Sequence, residues 1–475
     1  MKRLFAAILL LGALTASAQI APYDRQTWGE TDIIGTSRYV AMAGAMAAVG
    51  GDASAASDNP AGLGLYRRDE LMITLEHQID KPSLGGLTGK FSCAQASWNF
   101  CFLNDRMTGV VANNIMLNYR RVKNFNRQYT VPLRAMDYSQ TDVMAMKTDG
   151  LPEIDLEGDR AWYDSEVGWL SKIGFEGYLI DPDSTGTNLW MPANAGAVEG
   201  ALGVRESGSV DEFSVSWGLN VSNKWYLGLE LGARSLTYVK SASYEEFFAG
   251  GNSYYLDSYV SASGVGFLSK IGLLYRPTRF LRFGAAFHAP VPMAITVHNY
   301  ADLASNNGAR YTVKSPDNSH SPSGFAQPLK AVAGMAFQIG QYGLVSLEYD
   351  YRHDLDKRVL DTHLMKVGLE GVVANNWFIN VGYALKMRTL DHGKWADPIH
   401  QLDYNSVRMD TEFANLMNAQ YISGGVSFRH KYVVAGLAYQ CCLKKENIRF
   451  HELETAAVGL NTTTHRIVLS LSWRR

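Results

Sequence analysis

The sequence predicts an all-β fold, an antiparallel transmembrane β-barrel of fourteen strands. Three observations carry that prediction. Segments alternating apolar and polar residues recur along the chain, the connections between them alternate in length, and the charges inside them share one parity.

The clearest alternation is EFSVSWGLNVSNKWYLGLELGAR. Phe213, Val215, Trp217, Leu219 and Val221 alternate with Ser214, Ser216, Gly218 and Asn220. After a Ser-Asn-Lys turn the apolar series resumes at Trp225, Leu227, Leu229 and Leu231. A period of two puts one kind of side chain on each face of a strand, and two such runs across a short turn make a hairpin. The pattern recurs in SGVGFLSKIGLLYRPTRFLRFGAAFHAPVP, PLKAVAGMAFQIGQYGLVSLEYDYRHD, HLMKVGLEGVVANNWFINVGYALKM, YISGGVSFRHKYVVAGLAYQCC and THRIVLSLSWRR. It is less regular in LMITLEHQI, CAQASWNFCFL and TGVVANNIMLNYRRV.

Short turns are expected near Asn104, Ser222, Pro277, Gln341, Ala374 and His430. Long connections are expected over 124–211, 241–256, 294–327, 389–418 and 447–462, with 80–90 and 354–361 as shorter members. Short turns on one side, long loops on the other and an even strand count are the pattern of an outer-membrane barrel. Within the strands Glu230, Arg234, Lys270, Glu348, Asp350, Lys366 and Glu370 sit opposite the Leu, Val and Phe series. A Lys or Arg facing lipid at the bilayer midplane costs about 2–4 kcal/mol, so the shared parity places these charges in the lumen. The solvated face of a soluble sandwich accounts for the parity but not for the sorted loops.

At the start of the chain, Lys2-Arg3 precede an apolar run from Leu4 to Ala16, and Ala16-Ser17-Ala18 has small-x-small form. Residues 1–18 are therefore expected to be a secretory signal, with the mature chain beginning at Gln19. The run is too short for a membrane helix, and no later run serves as one. A net charge of −2 without a basic cluster offers nucleic acid no attraction. Cys93 and Cys101 lie too far apart on one strand to bridge. Cys441 and Cys442 are neighbours, and all four are expected as packed thiols. His288, His353 and His400 are scattered and supply no paired axial ligands, so no metal or cofactor is expected. No Gly-x-Ser-x-Gly motif occurs, and an enzyme is not expected.

GTSRYVAMAGAMAAVGGDASAASDNPAGLGLYR does not alternate. Small residues from Ala41 to Ala48 suit a short helix close to a wall, and Gly50-Gly51 end it. Asp52 is placed to cap the next turn, and Asn59 before Pro60 is pushed out of helical geometry. This segment resembles the N-terminal region of the FadL-type outer-membrane transporters of hydrophobic compounds, especially the versions common in Bacteroidetes. Their Asn-Pro-Ala signature is matched by Asn59-Pro60-Ala61, and GLLYRPTRFLRFGAAFHAPVP and YISGGVSFRHKYVVAGLAYQ are similar to the family's later hairpins.

The resemblance implies an N-terminal hatch over 19–69 plugging the lumen of a barrel over 70–475. The hatch turn Asn59, Pro60, Ala61, Gly62 would then shape the ligand site. It implies passive uptake of hydrophobic small molecules such as long-chain fatty acids: capture by outer loops, binding beside the hatch, and release through a side gap at a kinked third strand. Here the third strand reads TGVVANNIMLNYRR, and its outward series Val111, Ile115, Leu117, Tyr119 is broken by Asn113. A lipid-facing amide needs a partner, so a distortion is expected at Ala112, Asn113 and Asn114. The implied partners are a hydrophobic ligand, outer-membrane lipid and the barrel assembly machinery, with the protein a monomer. Energised transport is not expected, since those barrels have 22 strands. A second reading within the family is a surface assembly or shuttle barrel of a type IX secretion system binding secreted cargo proteins. One departure is the C-terminus, Trp473-Arg474-Arg475, where such chains usually end on an aromatic residue.

Two loop features complete the reading. DSEVGWLSKIGFEGYLI, with Val167, Trp169, Leu170 and Ile173, suits a short amphipathic helix, and EEFFAGGNSYY offers Phe247, Phe248, Tyr254 and Tyr255 either to an apolar ligand or to local packing.

Overall fold

Every alternating segment becomes wall in the computed structural model, which describes residues 20 and 22–475 apart from 105–107, 135, 137, 185, 195, 323, 358, 389–406, 452 and 454–456. The expected leader, residues 1–18, and His400 lie outside the described residues. The wall strands are β1 Glu70–Pro82, β2 Thr88–Leu103, β3 Val110–Arg134, β4 Ala197–Val221, β5 Trp225–Phe248 and β6 Ser253–Tyr275. They continue as β7, in two pieces, Leu281–His288 and Val291–Asn307, then β8 Leu329–Ile339, β9 Gly343–His353 and β10 Thr362–Ala374. The last four are β11 Trp377–Arg388, β12 Phe413–Arg429, β13 Val433–Arg449 and β14 Val458–Arg474. Neighbours pair antiparallel, and β1 pairs with β14 from Glu70↔Arg474 to Pro82↔Thr462, which closes the barrel.

The outer surface carries the apolar series. Phe213, Val215 and Trp217 on β4, Phe267 and Ile271 on β6, and Leu469 and Leu471 on β14 are all exposed, Phe267 by 59%. Side chains this apolar and this exposed over one continuous band face lipid, because a soluble protein does not tolerate such a patch. From Phe213 to Val221 the band matches the nine to eleven residues that a tilted strand needs to cross a bilayer. Its lower rim is aromatic: Trp225 stacks on Tyr275 at 4.1 Å, and Trp377, Tyr432 and Trp473 are each about half exposed. Glu230, Arg234, Lys270, Glu348, Asp350, Lys366 and Glu370 all point into the barrel and are buried. No helix among the described residues is long and apolar enough to cross a membrane.

The long connections are shorter than expected, because several strands continue above the membrane. β3 runs to Arg134 and β4 starts at Ala197, so the 124–211 loop shrinks to 135–196, and 241–256 shrinks to the hairpin turn 249–252. Much of 294–327 is strand, and Phe413 onward of the 389–418 loop belongs to β12. In these extensions the alternation persists with its faces exchanged. Leu202, Val204, Tyr244, Tyr254 and Leu256 now point inward and are buried, while Ser207, Ser241 and Ser243 point out. An outer face that leaves lipid for water turns polar, and an inner face that covers a loop layer turns apolar.

That layer holds three short helices, α4 Gln140–Thr148, α5 Glu153–Leu156 and α6 Trp169–Glu176. A Ser139/Asp142 capping box starts α4. Val167, Trp169, Leu170 and Ile173 are buried against Val131, Leu133, Leu202 and Tyr244 of the wall, so the predicted amphipathic helix packs on its own barrel. Phe248 and Tyr254 join this core, whereas Phe247 and Tyr255 meet on the outer face. All four cysteines are free thiols.

Candidate functional site

Residues 22–69 lie inside the barrel, as the helices α1 Pro22–Gly29, α2 Ser37–Ala41 and α3 Ala53–Asp58 and a 3-10 turn, Pro60–Leu65. Asp52 accepts from the backbone N–H groups of Ser54 and Ala55 and so caps α3 as expected.

The segment circles the lumen against inward-facing glycines. A Cβ at Gly436 of β13 would overlap Ser37, one at Gly425 of β12 would meet Ala41, and one at Gly382 of β11 would overlap Met42 and Ala43. A Cβ at Gly284 of β7 would overlap Ala47, one at Gly272 of β6 would overlap Asn59, and one at Gly228 of β5 would overlap Pro60 and Ala61. At Gly218 of β4 a Cβ would fall 2.7 Å from the Leu63 Cβ. Only a strand without side chains on its inner face lets backbone approach backbone this closely.

Ion pairs hold the ring in place. Arg38 meets Glu370 at 2.6 Å, and Glu370 also takes Arg429. Asp58 receives Arg120 at 3.1 Å with Lys330 at 3.6 Å, and Glu30 receives Lys386 and Arg388. Asp32 takes Lys123 of β3 at 3.4 Å, Lys444 of β13 at 3.3 Å and Arg466 of β14 at 3.8 Å. Removing one partner of such a buried pair costs about 3–5 kcal/mol, so these contacts fix where the segment sits.

Asn59, Pro60, Ala61 and Gly62 are all buried in this ring. The Asn59 amide Nδ2 donates to the Ala47 carbonyl at 2.8 Å and to the Leu273 carbonyl of the wall at 3.2 Å, and its Oδ1 accepts from Ala61 N–H at 3.2 Å. One side chain thus ties two stretches of the segment to β6. Asn59→Ala leaves these buried groups unpaired at about 1–3 kcal/mol each, and faster proteolysis of the inner segment in an otherwise folded barrel is expected. Unchanged protease resistance would count against the tether.

Asn113 and Asn114 are placed differently from expectation. The ladder from β2 to β3 is continuous there, pairing Leu103↔Ala112, Phe102↔Asn113 and Cys101↔Asn114. Asn113 satisfies its lipid-facing amide sideways, accepting from Trp217 Nε1 at 2.5 Å, and Asn114 turns inward to the Tyr66 carbonyl at 3.4 Å. On the β4 side the register shifts between Val110 and Ala112, where two successive residues, Val111 and Ala112, are buried, so an irregularity borders the expected stretch. The irregularities of β3 against β4 flank this stretch, at Val111 and at Val122.

The irregularity at Val122 lies where a ladder ends. Pairing of β2 with β3 ends at Gln95↔Arg120, and above that level β2 pairs only with β1 and β3 only with β4. Ala94 is the extra residue of β2, between Thr74↔Gln95 and Leu75↔Cys93, and Val122 is the extra residue of β3, between Arg121↔Asp211 and Lys123↔Val210. Two bulges therefore face each other where the β2–β3 ladder ends, and contact resumes higher up, where Thr88 Oγ1 donates to the Asn126 carbonyl at 2.9 Å and the Thr130 N–H to the Leu84 carbonyl at 2.7 Å. The Val122 carbonyl turns inward and accepts from the Asp32 N–H at 2.8 Å. Asp32 thus joins the opening to the ring, a role its isolated place in the sequence did not signal. On the outside, Leu71, Trp98, Leu117, Phe213 and Val215 line an apolar groove at the same wall.

Inside, two small polar cavities flank the ring, one of about 50 Å³ touching Asp58, Arg120, Lys270 and His288, the other of about 60 Å³ touching Asn124, Asn126, Lys123 and Asp80. Each has room for a few waters. Beside them lies an apolar lumenal cluster of Trp28, Val122, Phe125, Leu236, Val260, Met293 and Phe325. Trp28 fills its centre, edge-on to Tyr238 and Phe325 at 6.0 and 5.9 Å, and its Nε1 is buried without a hydrogen-bond partner among the described residues. An orphaned donor of this kind is uncommon in a folded interior.

A closed antiparallel barrel with an exposed apolar band, an aromatic rim and buried lumenal charges is a transmembrane barrel of the bacterial outer membrane. Several solved structures resemble it over nearly the whole chain. The Ralstonia pickettii toluene transporter TbuX matches over 93% of this chain and 98% of its own at 14% identity and TM-score 0.52. A Pseudomonas aeruginosa FadL homologue matches over 94% and 99% at 12% identity and TM-score 0.54, and the Pseudomonas putida toluene transporter TodX over 94% and 98% at 13% identity and TM-score 0.52. The chain has the FadL-type fold. No family model matches the sequence, and no curated protein matches it.

Proposed function

We propose that this protein is a FadL-type channel, not an enzyme, for passive uptake of hydrophobic small molecules across the outer membrane. The observation that carries the reading is the end of the β2–β3 ladder at Gln95 and Arg120, with bulges at Ala94 and Val122 beside an apolar outer groove, which we read as a side opening. The inner segment acts as the hatch: its ring on the glycines closes the straight path to the periplasm and leaves the wall as the exit. An apolar solute caught by the outer loops reaches the cluster around Trp28, displaces the indole and leaves sideways past Val122. Burying apolar surface at about 25 cal/mol per Å² supplies the affinity. The solved channels of this fold named above include toluene transporters, which supports the substrate class. It does not favour the cargo-shuttle reading.

Uptake of radiolabelled toluene and of a long-chain fatty acid by cells with and without the protein tests this. Faster accumulation of at least one probe is expected. Equal rates for both would overturn the reading.

A further inference from the structure

Above the membrane, the outer face of the extended wall carries a second concave surface, of about 430 Å³, that the transport path does not use. Two cross-strand rows build it. One runs Gln128, Arg205, Ser241, Tyr259, Tyr300, and the other runs Thr130, Gly203, Ser243, Asp257, Asp302, each neighbour paired across the ladder. Gly203, Ser241 and Ser243 make a low floor. Arg205 and Gln128 form one rim, and Tyr259, Tyr300, Asp257 and Asp302 the other. At 4.7–4.9 Å per strand the trough is about 20 Å across.

Its chemistry is specific. The Tyr259 and Tyr300 rings stack at 4.9 Å and 21°, so the pair offers its outer ring faces and its hydroxyls. No side-chain hydrogen bond or ion pair engages Gln128, Arg205, Asp257, Tyr259 or Tyr300 among the described residues, while Asp302 meets Lys314 at 3.1 Å. No aliphatic side chain faces out in either row. Aromatic faces pack on the C–H faces of pyranose rings, and carboxylate, guanidinium and amide groups pair with vicinal hydroxyls. Arg205 lies about 26 Å of strand above Phe213, where the apolar band begins, or about 20 Å in height at the usual tilt. This level is occupied by the saccharides that outer-leaflet lipids carry.

We propose that this trough binds the saccharide chain of an outer-leaflet glycolipid, holding the barrel laterally in its membrane. The assignment rests on the outer-membrane location and not on the transport reading. The test titrates the full-length protein in detergent with oligosaccharide prepared by deacylating lipopolysaccharide, and separately with maltoheptaose, a soluble glycan of no membrane origin. Saturable binding of the first is expected, at least tenfold tighter than of the second. It should weaken at least tenfold in Tyr259→Ala/Tyr300→Ala and in the milder Asp257→Asn, with heat-modifiable migration and apolar-probe uptake unchanged. Absence of binding, equal binding by the folded variants, or preference for maltoheptaose would each overturn the proposal.

Discussion

Deleting Val122 abolishes uptake of apolar probes and leaves a folded barrel. Val122 is the residue that β3 has in excess of β4, so its loss lets Arg121 and Lys123 follow one another opposite Asp211 and Val210 without a break. Side chains above it keep their faces, because the ladder on that side already has the register that deletion makes regular. The inward carbonyl that accepts from Asp32 disappears with the residue, and β3 straightens toward β2. A fall of at least tenfold in toluene or fatty-acid uptake is expected, with anomalous gel migration before boiling retained. Val122→Ala serves as the control: it trims a side chain but preserves the bulge, and uptake should persist. Normal uptake by the deletion variant would show that solute does not leave at this point.

The second large effect is expected at Gly228. Valine there drives its side chain into the Pro60 carbonyl carbon and the Ala61 nitrogen, both backbone atoms that no rotamer change can move aside. Overpacking of this kind costs about 1–3 kcal/mol, more against backbone. The cheapest relief is for the 59–64 turn to leave its seat, because the wall strand is held by ladders on both sides. Gly228→Val is therefore expected to make the barrel leak, measured as swelling of proteoliposomes in a small sugar or as sensitivity of cells to a hydrophilic antibiotic. Gly371→Ala, where a Cβ meets nothing within 4 Å, should behave as the unaltered protein. A tight Gly228→Val barrel would mean that the ring is not the seal.

Much of the wall was legible from residue order alone, for a definite reason. The membrane demands apolar side chains on one face and water or ion pairs on the other, so each hairpin carries the demand as a period of two. Phe213 to Leu231 shows it with no tertiary information. The same rule hid the upper strands. Above the bilayer Leu202, Val204, Tyr244 and Leu256 are apolar because they cover a loop layer, so a search for outward-facing apolar residues reads these stretches as loop.

The side opening proposed here, at Ala94 and Val122, was not legible in the sequence for a related reason. Asn113 is conspicuous because an amide on a lipid face is costly, but Trp217 on the next strand supplies its partner, and strand neighbours are not visible in the chain. The true bulges leave a fainter trace. Phe91 and Trp98 both face outward on β2 although an even number of residues lies between them, which requires one extra residue in that stretch.

Alternation, charge parity and the sorting of turns thus determined that the chain is a barrel with a polar lumen, since each is a local answer to a two-sided solvent. The non-alternating run from Gly35 to Arg67 marked itself as something other than wall. The tertiary structure alone decided how that run is seated, where the wall parts and which residues join the two. Close approach of Pro60 to Gly228, the reach of Asp32 to β3, β13 and β14, and the meeting of two bulges are relations between residues far apart in sequence. Packing sets such relations, and no local period records them.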